Sequence, residues 1–276
     1  MTGTSTAEGP SFADDSAALA RDYEEVSRQR QFVAGRRLVA ALAIAAGERV
    51  LDVGCGTGLL AEHVADLVGP GGAVLGIDPL PERIALAAAK ARATLRFEVG
   101  DAADLSGHAE GSFDVVLLNA VFHWLPDKAG PLREFRRVLR PGGRLGIGGT
   151  TREQRSPLAG VMREVLARPP FAAHPRPRRE LSFRIDADEM RRLLAEAGYA
   201  DIAVTVLDAR YRHPSAEAAM RYAESSSFGN LLAHLPAALR PAARAALAAG
   251  MAANAAPDGS LEQTGQRMIA LAVKPG

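Results

Sequence analysis

The apolar positions of the chain open with a helical rhythm. In residues 16–43, "SAALARDYEEVSRQRQFVAGRRLVAALA", Leu19, Tyr23, Val26, Val33, Leu38 and Leu42 recur at mostly helical spacing, which predicts one or two leading helices. The short apolar runs "RVLDVG", "AVLGID", "LRFEVGD", "FDVVLLNA" and "RLGIGGT" then alternate with the helical patterns "GLLAEHVADLV", "PERIALAAAKA" and "GPLREFRRVLR". Strands buried on both faces read as continuous apolar runs, so this alternation predicts a parallel sheet covered by helices. The "RPGG" of Arg140 to Gly143 is expected to stop a helix and turn the chain into a strand.

After residue 150 the rhythm breaks into a short helix, "PLAGVMREVLA", and a proline-rich loop. Helix and strand resume in "DADEMRRLLAEAGYADIAVTVLDARYR", and "RMIALAVKP" reads as the last strand. Between those strands, at about 213–256, lies an alanine-rich helical insertion broken at Pro236 and Pro241. An insertion of that length reads as a lid or a partner surface. Three parts follow: an N-terminal helical segment (1–45), a core (46–150), and the remaining strands with linker and lid (151–276).

Composition narrows the functional classes. The chain has 276 residues, 47% hydrophobic and 24% charged, as expected of one large globular unit. No run of about 18 apolar residues could cross a bilayer. The first 15 residues are small and polar and are expected to fray, and they lack the basic start and apolar core of a secretory signal, which points to the cytoplasm. A net charge of +1 gives no broad attraction for nucleic acid or anionic lipid, and the local "HPRPRR" from His174 to Arg179 reads as a solvated loop. The single cysteine, Cys55, excludes an internal disulfide, and six scattered histidines give no metal-ligand spacing, so no metal is expected.

The chemistry concentrates in "VLDVGCGTG", Val50 to Gly58. A dinucleotide loop needs glycines spaced G-x-G-x-x-G so that pyrophosphate meets a helix N-terminus. Here Gly54 and Gly56 are followed by Gly58, and the sixth position is Leu59. S-adenosylmethionine has no phosphate; it requires close backbone approach at the loop and carboxylates for its ammonium and ribose hydroxyls. Asp52 precedes the loop, where it can hold the ammonium directly or through water. Asp78, in "VLGIDP" with Pro79, is placed to accept both ribose hydroxyls, and Asp101 in "FEVGDA" can accept from the adenine amino group while the Ala102 amide faces a ring nitrogen. All three acids fall near strand ends, where open α/β sheets bind ligands. Cys55 reads as a small buried filler within the cofactor loop.

With "YEEVSRQRQFVAG", "VLDVGCGTG", "GIDPLPERIALA", "VGDAADL", "FDVVLLNAVFHWLPD" and "FRRVLRPGGRL" in place, the chain resembles the class I S-adenosylmethionine-dependent methyltransferases over roughly Tyr23 to Thr150. More closely, it resembles the broad group that includes the quinone-biosynthesis, trans-aconitate and malonyl-carrier-protein enzymes. The resemblance implies a Rossmann-like, mostly parallel seven-stranded α/β sheet with helices on both faces and a helical lid. It also implies that the loop (Gly54, Cys55, Gly56) and the three acids bind the cofactor, that Asn119 offers its carbonyl to the methionine amine, and that Tyr23 closes over the methionine end. The spacing after Tyr23 is one residue longer than usual, which leaves Arg30 and Gln31 as alternatives for the next contact.

Methyl transfer is an in-line displacement, so alignment and exclusion of water come first, and only a protonated acceptor needs a base. His123, in "NAVFHWLPD", is the candidate base; the alternative is that it caps a turn or shapes the pocket. Asp127 reads as a cap for the next helix. Trp124 and Phe228 are candidate acceptor contacts, and Phe171, Met220, Tyr222, Leu231 and Leu232 either roof an apolar pocket or pack a core. The expected reaction is O- or C-methylation of a small organic molecule, with no nucleic-acid or membrane partner. Three alternatives stand beside it: a cofactor-assisted rearrangement or cyclisation, methylation of a macromolecule, and a non-catalytic cofactor-binding protein.

Overall fold

The computed structural model describes residues 15–152, 157–175 and 182–276. Seven strands form one sheet in the order β3-β2-β1-β4-β5-β7-β6. They are β1 (Arg49–Val53), β2 (Ala73–Asp78), β3 (Leu95–Val99), β4 (Phe113–Asn119), β5 (Leu139–Thr150), β6 (Ala200–His213) and β7 (Leu261–Val273). The first five run parallel, and β7 is antiparallel to both β5 and β6. The strand order reverses at β1, whose C-terminal end therefore opens a crevice.

Alternation along the strands divides the core. On one face Leu51, Val53, Val116 and Leu118 pack against Leu132, Phe135 and Val138 of α5 (Ala129–Val138) and Met190 and Leu194 of α7 (Ala187–Glu196). On the other, Val50, Val115 and Leu117 meet Leu38, Val39 and Leu42 of α2 (Val33–Leu42) and Leu60, Ala61 and Val64 of α3 (Leu59–Val68). A parallel strand buried on both sides must be apolar at successive positions, as β4 is. A third cluster stands outside the sheet. It joins Val161 and Val165 of α6 (Pro157–Leu166), Met220 of α8 (Ala216–Ser226), Leu247 and Met251 of α9 (Arg240–Ala252), and Phe171, Leu231 and Leu232.

Several boundaries differ from the sequence reading. The leading segment is α1 (Ala17–Ser27), a π-helical turn (Arg28–Phe32) and α2 in direct succession. A π turn accommodates one additional residue, which matches the long spacing after Tyr23. Helix α5 ends at Val138, and Leu139 already pairs with Phe113 before the "RPGG". Pro141 to Gly143 then bulge out, and regular pairing resumes at Arg144 beside Val115. Pro241 lies in the first turn of α9, where its missing N–H costs nothing, so it starts that helix instead of breaking it. Strand β7 begins six residues before Arg267, and its pairing with β6 runs on to Leu261 beside His213, beyond Thr150 of β5. The β6–β7 ribbon therefore projects past the edge where β5 ends. Residues 1–14 and most of "HPRPRR" (176–179) lie outside the described residues.

Candidate active site

The glycine loop is shaped by what surrounds it. Gly54 has φ 70°, and a β-carbon there would collide with the Val121 side chain; Gly56 has φ 58° and faces the Tyr23 ring. The Gly54 and Cys55 amides donate to the Ile77 carbonyl at 2.7 and 2.9 Å, tying the loop to β2. Asp78 accepts from the Gly56 amide at 2.9 Å and from the Leu80 amide at 3.0 Å. Burial raises its pKa, while the Arg83 guanidinium and these two amides oppose the rise.

Asp52 is 2% exposed, and its Oδ2 has no hydrogen-bond partner among the described residues. Burial, with Asp78 nearby, pushes its pKa up to about 7. Asp52 and Cys55 face a recess of about 40 Å³ behind the loop, shared with Tyr23, Gln31, Gly54 and Asn119. The Cys55 thiol is held well above its ordinary range by burial and by Asp52 and Asp78, which makes it an inert filler.

A much larger cavity, about 600 Å³, runs along the C-terminal sheet edge. Gly54, Gly56, Asp78, Pro79, Asp101, Ala102, Asn119 and Tyr23 line it, and so do His123, Trp124 and Phe228. The structure thus gathers nearly all the sequence-read positions on one cavity, with Asp52 and Cys55 directly behind it. Asp101 is exposed, and its Oδ1 accepts from the Ala103 amide at 2.9 Å. The Asn119 side chain donates to the Gln31 carbonyl at 2.9 Å and accepts from Arg267 at 3.3 Å. Burial lifts the Tyr23 phenol to about 12, and the Arg83 guanidinium, which lowers it, stacks 4.1 Å above the ring.

The wall formed by His123, Trp124 and Phe228 is aromatic. The His123 ring lies 4.7 Å from Trp124, and Trp124 lies 4.8 Å from Phe228, centroid to centroid. Phe228 holds φ 56°, a costly conformation for a bulky residue, and such strain concentrates at ligand sites. His123 Nδ1 is shut off from solvent without a partner, and its carbonyl accepts from the Phe183 amide at 2.7 Å. Burial, then Arg184, Lys128 and Arg267, hold the imidazole well below its ordinary pKa. Asp127 accepts from the Ala129 and Gly130 amides, capping α5 as expected. Of the residues read as an alternative roof or core, Tyr222 lines the cavity, Leu231 both lines it and packs in the third cluster, and Met220, Leu232 and Phe171 sit in that cluster alone.

The sequence reading missed Arg83, Arg184, His213, Gln263 and Arg267, which also line the cavity. Arg30 and Gln31, left as alternatives, both reach it. The Arg30 guanidinium lies 3.8 Å above the Tyr211 ring and 4.3 Å above Tyr222, and Gln31 donates to the Tyr222 hydroxyl at 3.1 Å.

Residues 51–147 match a family described as a methyltransferase domain. Trans-aconitate 2-methyltransferase of Deinococcus radiodurans is 35% identical over 136 residues, 49% of this chain and 45% of that protein. Nocamycin O-methyltransferase of Saccharothrix syringae is 39% identical over 118 residues, 41% of this chain and 42% of that protein. The chain thus spans less than half the length of these curated relatives. Among solved structures, phosphoethanolamine N-methyltransferase 2 of Haemonchus contortus in complex with S-adenosyl-L-methionine superposes with a TM-score of 0.59 at 18% identity, covering 95% of this chain and 58% of that one. At that identity the likeness establishes a shared fold. Matched core, strand order and glycine loop together identify residues 51–147 as a methyltransferase domain with the class I S-adenosylmethionine-dependent fold.

Proposed function

We propose that this protein transfers a methyl group from S-adenosylmethionine to a small organic acceptor, at oxygen or carbon. The observation that carries the reading is the single cavity of about 600 Å³ that joins the glycine loop to His123, Trp124 and Phe228. That volume lies within the roughly 300–1,000 Å³ of small-molecule sites. The names of the two relatives, which act on trans-aconitate and nocamycin, also favour a small acceptor.

The residues present fit the cofactor. Asp52 offers an unpartnered buried carboxylate oxygen for an ammonium group, reached through a recess with room for a bridging water. Asp78 keeps lone pairs for two ribose hydroxyls, Asp101 and the Ala102 amide stand at the adenine end, and the Asn119 carbonyl and Tyr23 stand at the methionine end. When bound, S-adenosylmethionine supplies a methyl group activated on a sulfonium sulfur. Trp124 and Phe228 hold the acceptor face and exclude water. Because Nδ1 of His123 is closed off, Nε2 is the nitrogen left to accept a proton from a hydroxyl or carbon acid, and the neutral ring is ready to do so.

The test is incubation with methyl-labelled S-adenosylmethionine and a cell extract, followed by mass spectrometry. A labelled methyl group on a small molecule supports the reading. Label confined to protein or nucleic acid overturns it, as does a consumed substrate whose product carries no label.

A further inference from the structure

The charges lining the cavity are unevenly distributed. Asp78 and Asp101 stand at the ends of β2 and β3 with Arg83 beside Asp78, Asp127 after β4 is taken up by the Ala129 and Gly130 amides, and Arg30, Arg184 and Arg267 gather where β5 ends and the β6–β7 ribbon projects. Arg267 Nη1 lies 3.3 Å from the Tyr211 hydroxyl, beneath whose ring face Arg30 is stacked. Arg184 donates to the Thr150 hydroxyl at 3.2 Å, and Thr150 pairs across the sheet with Arg267. None of the three has a carboxylate partner among the described residues. Arg30 is only 8% exposed; its Nη1 donates to Gln263 Oε1 at 3.0 Å, and its Nε has no partner among the described residues. Burying an unpaired guanidinium is expensive, so such groups are retained where an anion completes them.

The cofactor cannot balance this charge. Its one carboxylate is offset by its own ammonium group, and the sulfonium adds a further positive charge. One carboxylate can engage one guanidinium bidentately, which leaves the remainder unmatched. We infer that the methyl acceptor enters as an anion, and that Arg184 and Arg267, with Arg30 behind them, hold a carboxylate or comparable oxyanion on it while the nucleophilic atom faces the glycine-loop side. The inference rests on the methyltransferase reading and specifies its substrate class. Tyr222 on α8 and Gln263 on the ribbon complete the site as hydrogen-bonding walls, and Tyr211 supports Arg30 and Arg267 from outside the cavity lining.

Citrate, a compact polycarboxylate, is the probe, and xylitol is its neutral counterpart. Both are titrated calorimetrically, at constant ionic strength, into protein first saturated with S-adenosylhomocysteine. The expected result is saturable citrate binding, no xylitol binding, and citrate affinity weakened at least about tenfold in Arg184→Gln and in Arg267→Gln. Arg184→Gln should leave S-adenosylhomocysteine affinity within about twofold of wild type, since it touches no cofactor position; that measurement also reports on folding. Citrate binding that is absent, or equal in wild type and both variants, overturns the inference. So does citrate binding only to the free protein with displacement by S-adenosylhomocysteine, because the arginines would then serve the cofactor carboxylate. Failure of S-adenosylhomocysteine itself to bind is a separate result, and it overturns the methyltransferase reading on which the inference stands.

Discussion

Asp52 is a buried acid with its pKa pushed up to about 7, so a cofactor ammonium held beside it would make binding pH-dependent. Binding of an ammonium group beside it favours the carboxylate and draws the pKa down. S-adenosylhomocysteine affinity should therefore weaken as pH falls below about 7, and binding near neutrality should release a proton, seen as a dependence of the calorimetric enthalpy on buffer. Asp52→Asn should abolish both effects. His123 shifts the other way. Its cationic neighbours and burial keep the ring neutral, so an acidic limb due to it must lie well below pH 6.5. If His123 is the base, His123→Ala should lower turnover by roughly 10²- to 10⁴-fold with cofactor affinity unchanged. Near-normal turnover in His123→Ala and His123→Gln would leave alignment as the main catalytic effect. The acids and the loop were legible because each follows an apolar run at a fixed point in a strand-turn-helix unit. The arginines were not: Arg30, Arg184 and Arg267 come from a leading turn, a linker and the last strand, and only the folded chain brings them together.

At the scale of elements, the helices between β6 and β7 share a core with α6 outside the sheet, with Met220, Leu247 and Met251 1% exposed or less. They are also tied to the N-terminal segment. Arg221 of α8 pairs with Asp22 and Glu25 of α1, and from the sheet side Arg83 of α4 (Pro81–Ala87) donates to the Ser225 carbonyl at 3.0 Å. The Arg83 guanidinium also stacks on Tyr23 and on Phe228, both of which line the cavity. If these elements close over bound ligand, amides of α1 and α8 should exchange more slowly when S-adenosylhomocysteine is present, while those of β4 stay unchanged. Equal protection in both states would make α8 and α9 a fixed scaffold. Helices and strands in this region were readable from periodicity, but their limits were not. Pro241 was read as a break because proline usually is one, and its place in a first turn depends on where the helix starts. The ribbon was read short because Leu261 to Gln266 is polar apart from its first residue, and its pairing with β6 replaces the apolar signal.

At the scale of the molecule, the alternation of apolar runs and helical stripes was sufficient for a parallel sheet with helices on both faces, and the sheet observed has that form with β7 reversed. Among the described residues no helix is long and apolar enough to cross a membrane. What the whole fold adds is a crevice, at the point where strand order reverses, that brings the glycine loop together with His123, Trp124 and Phe228. The account stands on S-adenosylmethionine being held in that crevice, with Asp78 on its ribose. Calorimetric titration of the protein and of Asp78→Ala with S-adenosylhomocysteine tests this most directly. The account requires one site in the wild type and a loss of about 1.5–3 kcal/mol in the variant, since a charge-assisted acceptor is removed. Equal affinity in the two proteins, or no binding in either, would contradict it.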